Sequence, residues 1–140
     1  MKAVSGVEGI IQNPEIRLFK DVKNGYTYFR ENDVIFAKIT PCMENGKSAV
    51  GKNLINKIGF GSTEFHVLRP NDDVLPEWIY YFIRQNKFRK EAEHVMSGSA
   101  GQQRVPLSFF DSYIIPVPSI SLQKKIIKKL NKSKKVVQTF

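Results

Sequence analysis

The chain has 140 residues, 41% of them hydrophobic, which is enough to bury the core of one globular domain. No apolar run approaches the roughly 20 residues of a membrane helix, which argues against a membrane protein. The formal net charge is +9, but seven lysines and no acids follow Gln123, so the rest of the chain is nearly balanced. A solvated, lysine-coated helix therefore explains the charge as well as a nucleic-acid partner does.

Short apolar runs rich in β-branched and aromatic residues dominate the first half of the chain. Turn residues separate them at 24–25, 31–33, 45–46 and 59–61. Their alternation is imperfect, which indicates that some strands are buried on both faces. The predicted strands are Ile16–Phe19, Tyr26–Phe29, Val34–Ile39 and Phe65–Leu68.

The second half changes to a helical pattern. Pro76 suits the first turn of a helix over Pro76–Gln85, and a second helix follows over Lys87–Val95. A last strand, Tyr113–Val117, ends among prolines. These elements predict an α+β fold with a twisted, mostly antiparallel sheet and a helical pair.

The tail, residues 119–140, is predicted to be an amphipathic helix that follows a globular domain over residues 1–118. Ser119 or Ser121 can cap it, because a serine oxygen accepts an otherwise unpaired backbone N–H. A narrow apolar stripe runs among its lysines and suits packing against one other helix, so we expect a projecting helix of coiled-coil type. The stripe consists of Leu122, Ile126, Ile127, Leu130 and Val137.

Catalytic and metal-binding patterns are missing from the sequence. There is no G-x-S-x-G, P-loop or G-x-G-x-x-G motif, and His66 and His94 lack metal-ligand spacing. The lone Cys42 is better explained as a small buried residue than as a reactive thiol. Together with an N-terminus that has no signal segment, one cysteine also fits a cytoplasmic protein. We expect no catalytic site, no metal and no cofactor on this chain.

Two polar loops carry the side chains that nucleic-acid recognition needs. Arg and Lys pair with guanine edges and Asn and Gln with adenine edges, whereas hydroxyls and cations hold phosphates. Loops of this composition are also common as plain solvated connections, so both interpretations stay open at this point. The candidate residues are Lys38, Thr40, Asn45 and Lys47 on the first loop and Ser97, Ser99, Gln102, Gln103 and Arg104 on the second.

Four ordered segments carry a resemblance to a known family. Residues 25–29 (GYTYF), 33–47 (DVIFAKITPCMENGK), 59–70 (GFGSTEFHVLRP) and 97–105 (SGSAGQQRV) resemble the target-recognition domain of type I restriction–modification specificity subunits. The junction at 115–118 (IPVP) and 123–126 (QKKI) is similar to the family's boundary between that domain and a conserved helix. The resemblance adds Ser62 and Thr63 to the candidate DNA-binding residues.

The resemblance implies a non-catalytic subunit that selects a sequence in double-stranded DNA. A partner methyltransferase subunit would carry S-adenosylmethionine and methylate adenine, and a restriction subunit driven by ATP and Mg²⁺ would translocate and cut DNA. Each recognition domain would bind half of a split site. The conserved helices would pair as a spacer and dock the methyltransferase.

This chain has one recognition domain and one short helix, where a full family member has two of each. Met1 matches an interior position of the family, so we expect an N-terminally incomplete domain or a half-subunit, which could form a homodimer through the tail helix. One alternative is a protein-interaction fragment that docks a methyltransferase subunit without reading DNA. A fragment of a methyltransferase fusion is a weaker alternative, because the Asn/Asp-Pro-Pro-aromatic motif is missing.

Overall fold

The computed structural model describes residues 1–136, which form two small antiparallel sheets and a set of helices. None of the helices in this range is long and apolar enough to cross a membrane. In chain order the elements are α1 (Phe19–Val22), β1 (Thr27–Arg30), β2 (Val34–Ala37), β3 (Ser48–Val50), a 3-10 turn (Ile55–Lys57), β4 (Ile58–Gly61), β5 (Phe65–Leu68), α2 (Pro76–Ile83), α3 (Asn86–His94), α4 (Ser108–Ser112) and α5 (Ile120–Val136).

Strand β2 is the centre of the fold. It pairs antiparallel with β3 on one side and with β5 on the other, so that Val34 lies opposite both Val50 and Leu68. All four residues of β2 are buried. Both of its faces are covered, which explains the imperfect alternation in the sequence.

The two faces of β2 contribute to two hydrophobic clusters. Phe36 packs edge-on against Phe88 of α3 and Phe110 of α4, at ring-centroid distances of 5.7 and 5.4 Å. On the opposite face, Ile35 lies in a second cluster with Phe29 and other buried side chains. The helices thus cover one face of the three-stranded sheet, and β1 with β4 closes part of the other.

The predicted single sheet is wrong in one respect, because β1 and β4 pair separately from the other three strands. The Gly59-Phe60-Gly61 segment, predicted as a turn, belongs to β4, where Gly59 lies opposite Phe29. A Cβ atom on Gly59 would stand 2.5 Å from the Phe29 ring. Glycine is therefore required here to make room for an aromatic ring, and not to form a turn.

Two other predicted strands are absent from the described structure. The Ile16–Phe19 run has Ile16 81% and Leu18 63% exposed, and Phe19 begins α1 instead. The Tyr113–Val117 segment forms no strand and pairs with none. Pro116 and Pro118 have no N–H to donate to a ladder, and the Pro116 carbonyl accepts a hydrogen bond from Trp78 Nε1 at 2.9 Å instead.

Helix α5 lies against the domain over its described length and does not project from it. Ser119 Oγ accepts the Leu122 N–H at 3.3 Å, so Ser119 is the capping residue. Farther along, Lys134 Nζ donates to the Glu8 carbonyl at 2.8 Å and to the Tyr80 hydroxyl at 2.7 Å. These contacts fix both ends of the described helix.

The predicted apolar stripe of α5 splits into two parts. Ile127 is buried against the domain, whereas Leu122 and Leu130 are exposed and Ile126 is half-buried. Val137 lies outside the described residues. The division of the chain at residue 118 stays a prediction, and so does the coiled coil.

Gln123 is the buried residue that attaches α5 to the rest of the chain. Its Nε2 donates to the carbonyls of Asp73 and Pro118, both at 2.8 Å, and its Oε1 accepts the Leu75 N–H at 2.9 Å. All three groups lie at the entrances to α2 and α5. The buried polar side chain of Gln123 therefore has hydrogen-bond partners for its amide, and the three backbone groups gain a partner that they would otherwise lack.

Candidate nucleic-acid interface

Three segments meet at the C-terminal end of β2. The Lys38 N–H donates to the Glu64 carbonyl at 2.9 Å, and the Lys38 carbonyl accepts the Val105 N–H at 2.8 Å. The Thr40 N–H donates to the Gln103 carbonyl at 2.9 Å. Backbone hydrogen bonds therefore join the end of β2 to the turn before β5 and to the second polar loop.

The second loop, residues 97–104, is closed at its base. Ser97 and Arg104 exchange two backbone hydrogen bonds, at 3.1 and 2.9 Å. Gly98 has φ +128°, and a Cβ there would approach the Gln102 carbonyl to 2.8 Å, so glycine is needed for the loop to close. The closed loop leaves Ser97, Ser99, Gln102 and Gln103 exposed.

Arg104 is bonded within the protein. Its Nε and Nη2 donate to the two carboxylate oxygens of Glu64 at 2.9 and 2.7 Å, and its Nη1 donates to the Gln102 carbonyl at 2.9 Å. The hydrogen bonds from Arg104 lower the pKa of Glu64, against the opposing effect of burial. Glu64 is thus held as a carboxylate and is paired with the cation of the loop.

The first loop is fixed from the helical side by two arginines. Arg84 Nη1 of the segment after α2 donates to the Gly46 carbonyl at 2.6 Å, and Arg89 Nη1 of α3 donates to the Glu44 carbonyl at 3.0 Å. The Thr40 hydroxyl donates to Glu44 Oε1 at 2.6 Å, and this hydrogen bond stabilises the first loop internally. Asn45 is exposed and Lys47 is half-buried, and both remain at the surface of this loop.

The histidines and the cysteine do not form a reactive centre. His66 Nε2 donates to the Val105 carbonyl at 2.8 Å, its ring packs on Phe110, and burial lowers the pKa of the imidazole. His94 is exposed on α3, and Cys42 is half-buried. Within residues 1–136, no cluster of His, Cys, Asp and Glu could hold a metal ion.

The structure brings most of the predicted DNA-binding residues to one end of the three-stranded sheet. Ser62 and Thr63 stand in the turn that precedes β5, where the Ser62 hydroxyl accepts the Glu64 N–H at 3.1 Å. The arrangement displays amides, hydroxyls and lysines on loops that are braced by backbone hydrogen bonds. The residues that share this end of the sheet are Lys38, Thr40, Lys47, Ser62, Thr63, Ser97, Gln102, Gln103 and Arg104, where Lys47 is placed by its carbonyl, which accepts the Ala37 N–H at 2.9 Å.

Sequence reasoning missed the bracing residues Glu64, Arg84 and Arg89. Glu64 is not among the predicted site residues, and its partner Arg104 is 40 residues away in the sequence. Arg84 follows the end of α2 and Arg89 lies in α3, so the two arginines stand on either side of the break between the helices. Their carbonyl partners, Gly46 and Glu44, lie 38 and 45 residues earlier in the chain, and no local sequence pattern points to them.

The model of one protein family matches this chain over residues 7–138, and its description is the type I restriction modification DNA specificity domain. The Escherichia coli EcoAI specificity subunit, of a type I restriction enzyme, is 46% identical over 114 residues, covering 81% of this chain and 19% of that subunit. The EcoEI specificity subunit, also from Escherichia coli, is 43% identical over 114 residues with the same coverage. The chain thus spans about a fifth of the length of these relatives.

Solved structures show the same fold. The HsdS subunit from Thermoanaerobacter tengcongensis superposes with a TM-score of 0.78 at 23% identity, covering 98% of this chain and 35% of that one. A chain from a structure that addresses complex assembly of the type I R-M system gives a TM-score of 0.72 at 24% identity. The relatives are specificity subunits, which agrees with the expectation that the chain is not itself an enzyme. Because the family model matches nearly its whole length, the chain belongs to the family of type I restriction modification DNA specificity domains.

Proposed function

We propose that this domain recognises one half of a split DNA target for a type I restriction–modification complex. The observation that carries the proposal is the convergence of two polar loops on the end of β2, where Thr40 bonds to Gln103 of the second loop and Lys38 bonds to Val105 directly after it. Recognition of base edges requires side chains held in a fixed geometry. Loops that share a backbone ladder with a fully buried strand meet that requirement.

The exposed amides are the candidates for base contacts. Gln102, Gln103 and Asn45 each carry a donor and an acceptor, the combination that pairs with adenine in the major groove. The lysines and hydroxyls suit phosphate contacts, which set affinity without reading sequence. These phosphate candidates are Lys38, Thr40, Lys47, Ser62, Thr63, Ser97 and Ser99.

The remaining activities belong to partner subunits. A methyltransferase subunit would supply S-adenosylmethionine and methylate adenine, and a restriction subunit would use ATP and Mg²⁺ to translocate and cut DNA, all in the cytoplasm. The names of the relatives, which are specificity subunits of restriction enzymes, support this division of labour. The exposed Leu122 and Leu130, with the half-buried Ile126 between them, are available to a second helix, from the same subunit or from a second copy.

The proposal is tested by co-expressing the chain with its methyltransferase subunit and mapping adenine methylation in the host DNA. We expect methylation at one discrete motif and co-purification of the two proteins. A palindromic split motif would indicate a homodimer of half-subunits. Co-purification without methylation would favour the alternative, a fragment that docks the methyltransferase but does not read DNA.

Lys47→Ala is expected to weaken binding to every DNA sequence to a similar degree. Loss of one phosphate contact reduces the slope of log K against log salt by about 1, since fewer counterions are released. The measurement is a salt titration of binding to a target and to an unrelated duplex. Lys52→Ala is the matched control, because Lys52 pairs with Glu77 at the opposite end of β2. A changed preference between the two duplexes would show that Lys47 contacts a base.

A further inference from the structure

The bonding of Arg104 limits what it can offer to DNA. An arginine has five N–H donors, and three of them are already engaged by Glu64 and by the Gln102 carbonyl. The charge is also neutralised by the Glu64 carboxylate at 2.7 Å. A guanine contact uses two parallel donors of a free guanidinium. The edge formed by Nε and Nη2 is occupied by the carboxylate.

Both partners of this ion pair are fixed through their backbones. The Glu64 carbonyl accepts the Lys38 N–H, and Arg104 is held by its two bonds to Ser97. The pair therefore joins the turn before β5 to the second loop, and it spans the end of β2. Through Nη1 it also holds the carbonyl of Gln102, one of the exposed amide residues.

We infer that the Glu64–Arg104 pair is a positioning device that sets the orientation of Gln102 and Gln103, and that Arg104 is not itself a base-reading residue. The inference rests on the proposed function, since it assigns roles within the same DNA-binding loop. The side chains of Arg104 and Glu64 are 41% and 24% exposed, and an ion pair exposed to this extent contributes little to global stability. Loss of the ion pair is therefore expected to reduce the preference for the target sequence and to leave the free energy of unfolding almost unchanged.

A second ion pair, at the other end of β2 and β5, offers a control for the forked geometry, with a carboxylate that is more deeply buried (Asp33 2% against Glu64 24% exposed). Arg69 Nε and Nη2 donate to the Asp33 carboxylate at 2.8 and 2.7 Å, the same forked geometry, beside the Val34–Leu68 pair. That pair contacts neither polar loop. Lysine cannot reproduce the fork, so Arg104→Lys and Arg69→Lys remove equivalent geometry at the two ends.

The test measures discrimination between the target duplex and single-base variants, using the specificity subunit in complex with its methyltransferase. We expect Glu64→Gln and Arg104→Lys each to reduce discrimination about tenfold at the bases read by this loop. The double variant Glu64→Gln/Arg104→Lys should lose no more than either single variant, because both changes break one unit. Arg69→Lys should retain the wild-type preference.

Other outcomes overturn the inference. If Glu64→Gln keeps the full preference while Arg104→Lys loses it, or if the two losses add, Arg104 contacts DNA directly. A wild-type complex that has no sequence preference at all would instead reject the proposed function. Amide hydrogen exchange of residues 97–104 provides a second readout without DNA, and it should accelerate in Glu64→Gln but not in Arg69→Lys.

Discussion

Gln102→Ala/Gln103→Ala is expected to abolish most of the sequence preference of the domain while leaving its fold intact. Both side chains are exposed on the closed loop that is anchored to Thr40, so truncation removes contacts to DNA and none within the core. Each bidentate contact between an amide and a base contributes about 1–3 kcal/mol of discrimination, so two contacts correspond to about 2–6 kcal/mol. The measurement is competition binding between the target and single-base variants.

Gln85→Ala is the control for this experiment, because Gln85 is also exposed but lies between α2 and α3. It should leave both affinity and preference unchanged. If the double variant retains its preference for the target sequence, base recognition belongs to the first loop, where Asn45 is the exposed amide. A uniform loss of affinity for all duplexes would mean that the glutamines contact phosphates.

Gln123→Ala is expected to lower the free energy of unfolding by about 3–5 kcal/mol. The substitution removes the buried Gln123 side chain and leaves the part-buried carbonyls of Asp73 and Pro118 and the Leu75 N–H without that partner. Each orphaned group costs about 1–3 kcal/mol, and water that enters the vacated space recovers part of the sum. Urea denaturation followed by circular dichroism measures the change.

Lys125→Ala serves as the comparison, because Lys125 is exposed on the same helix two residues later. A surface substitution of this kind changes stability by no more than about 0.5 kcal/mol. If the change for Gln123→Ala falls in the same range, the buried glutamine is not what holds α5 against α2.

The sequence was sufficient for elements whose pattern is local. β1, β2 and β5 coincide with β-branched and aromatic runs, and α2 begins at the predicted Pro76. β3 escaped prediction because Ser48–Val50 is three residues long and starts with a serine that is buried only through tertiary packing. Ile16–Phe19 was wrongly predicted as a strand because its composition is apolar. In the structure its apolar residues pair with no strand and remain on the surface.

The sequence predicted the candidate site as two separate loops. It could not predict that the two loops lie side by side and are hydrogen-bonded to each other. The bond between Thr40 and Gln103 and the pair of Glu64 with Arg104 join residues far apart in the chain. Nothing in the local pattern of either loop specifies such a partner. The types of the loop residues suit DNA binding and can be seen in the sequence, whereas the bonding of Arg104 to Glu64 depends on the fold.

The ladder that joins the two loops at the end of β2 has a consequence for how specificity can change. Lys38 and Thr40 bond directly to Val105 and Gln103, so a substitution that shifts one loop also shifts the other. Changes of target sequence should therefore show epistasis between the loops, with a substitution in one loop acceptable only against particular residues in the other. A loop transplanted alone into a related domain would arrive without its matching partner, whereas both loops transferred together with β2 would carry their specificity with them.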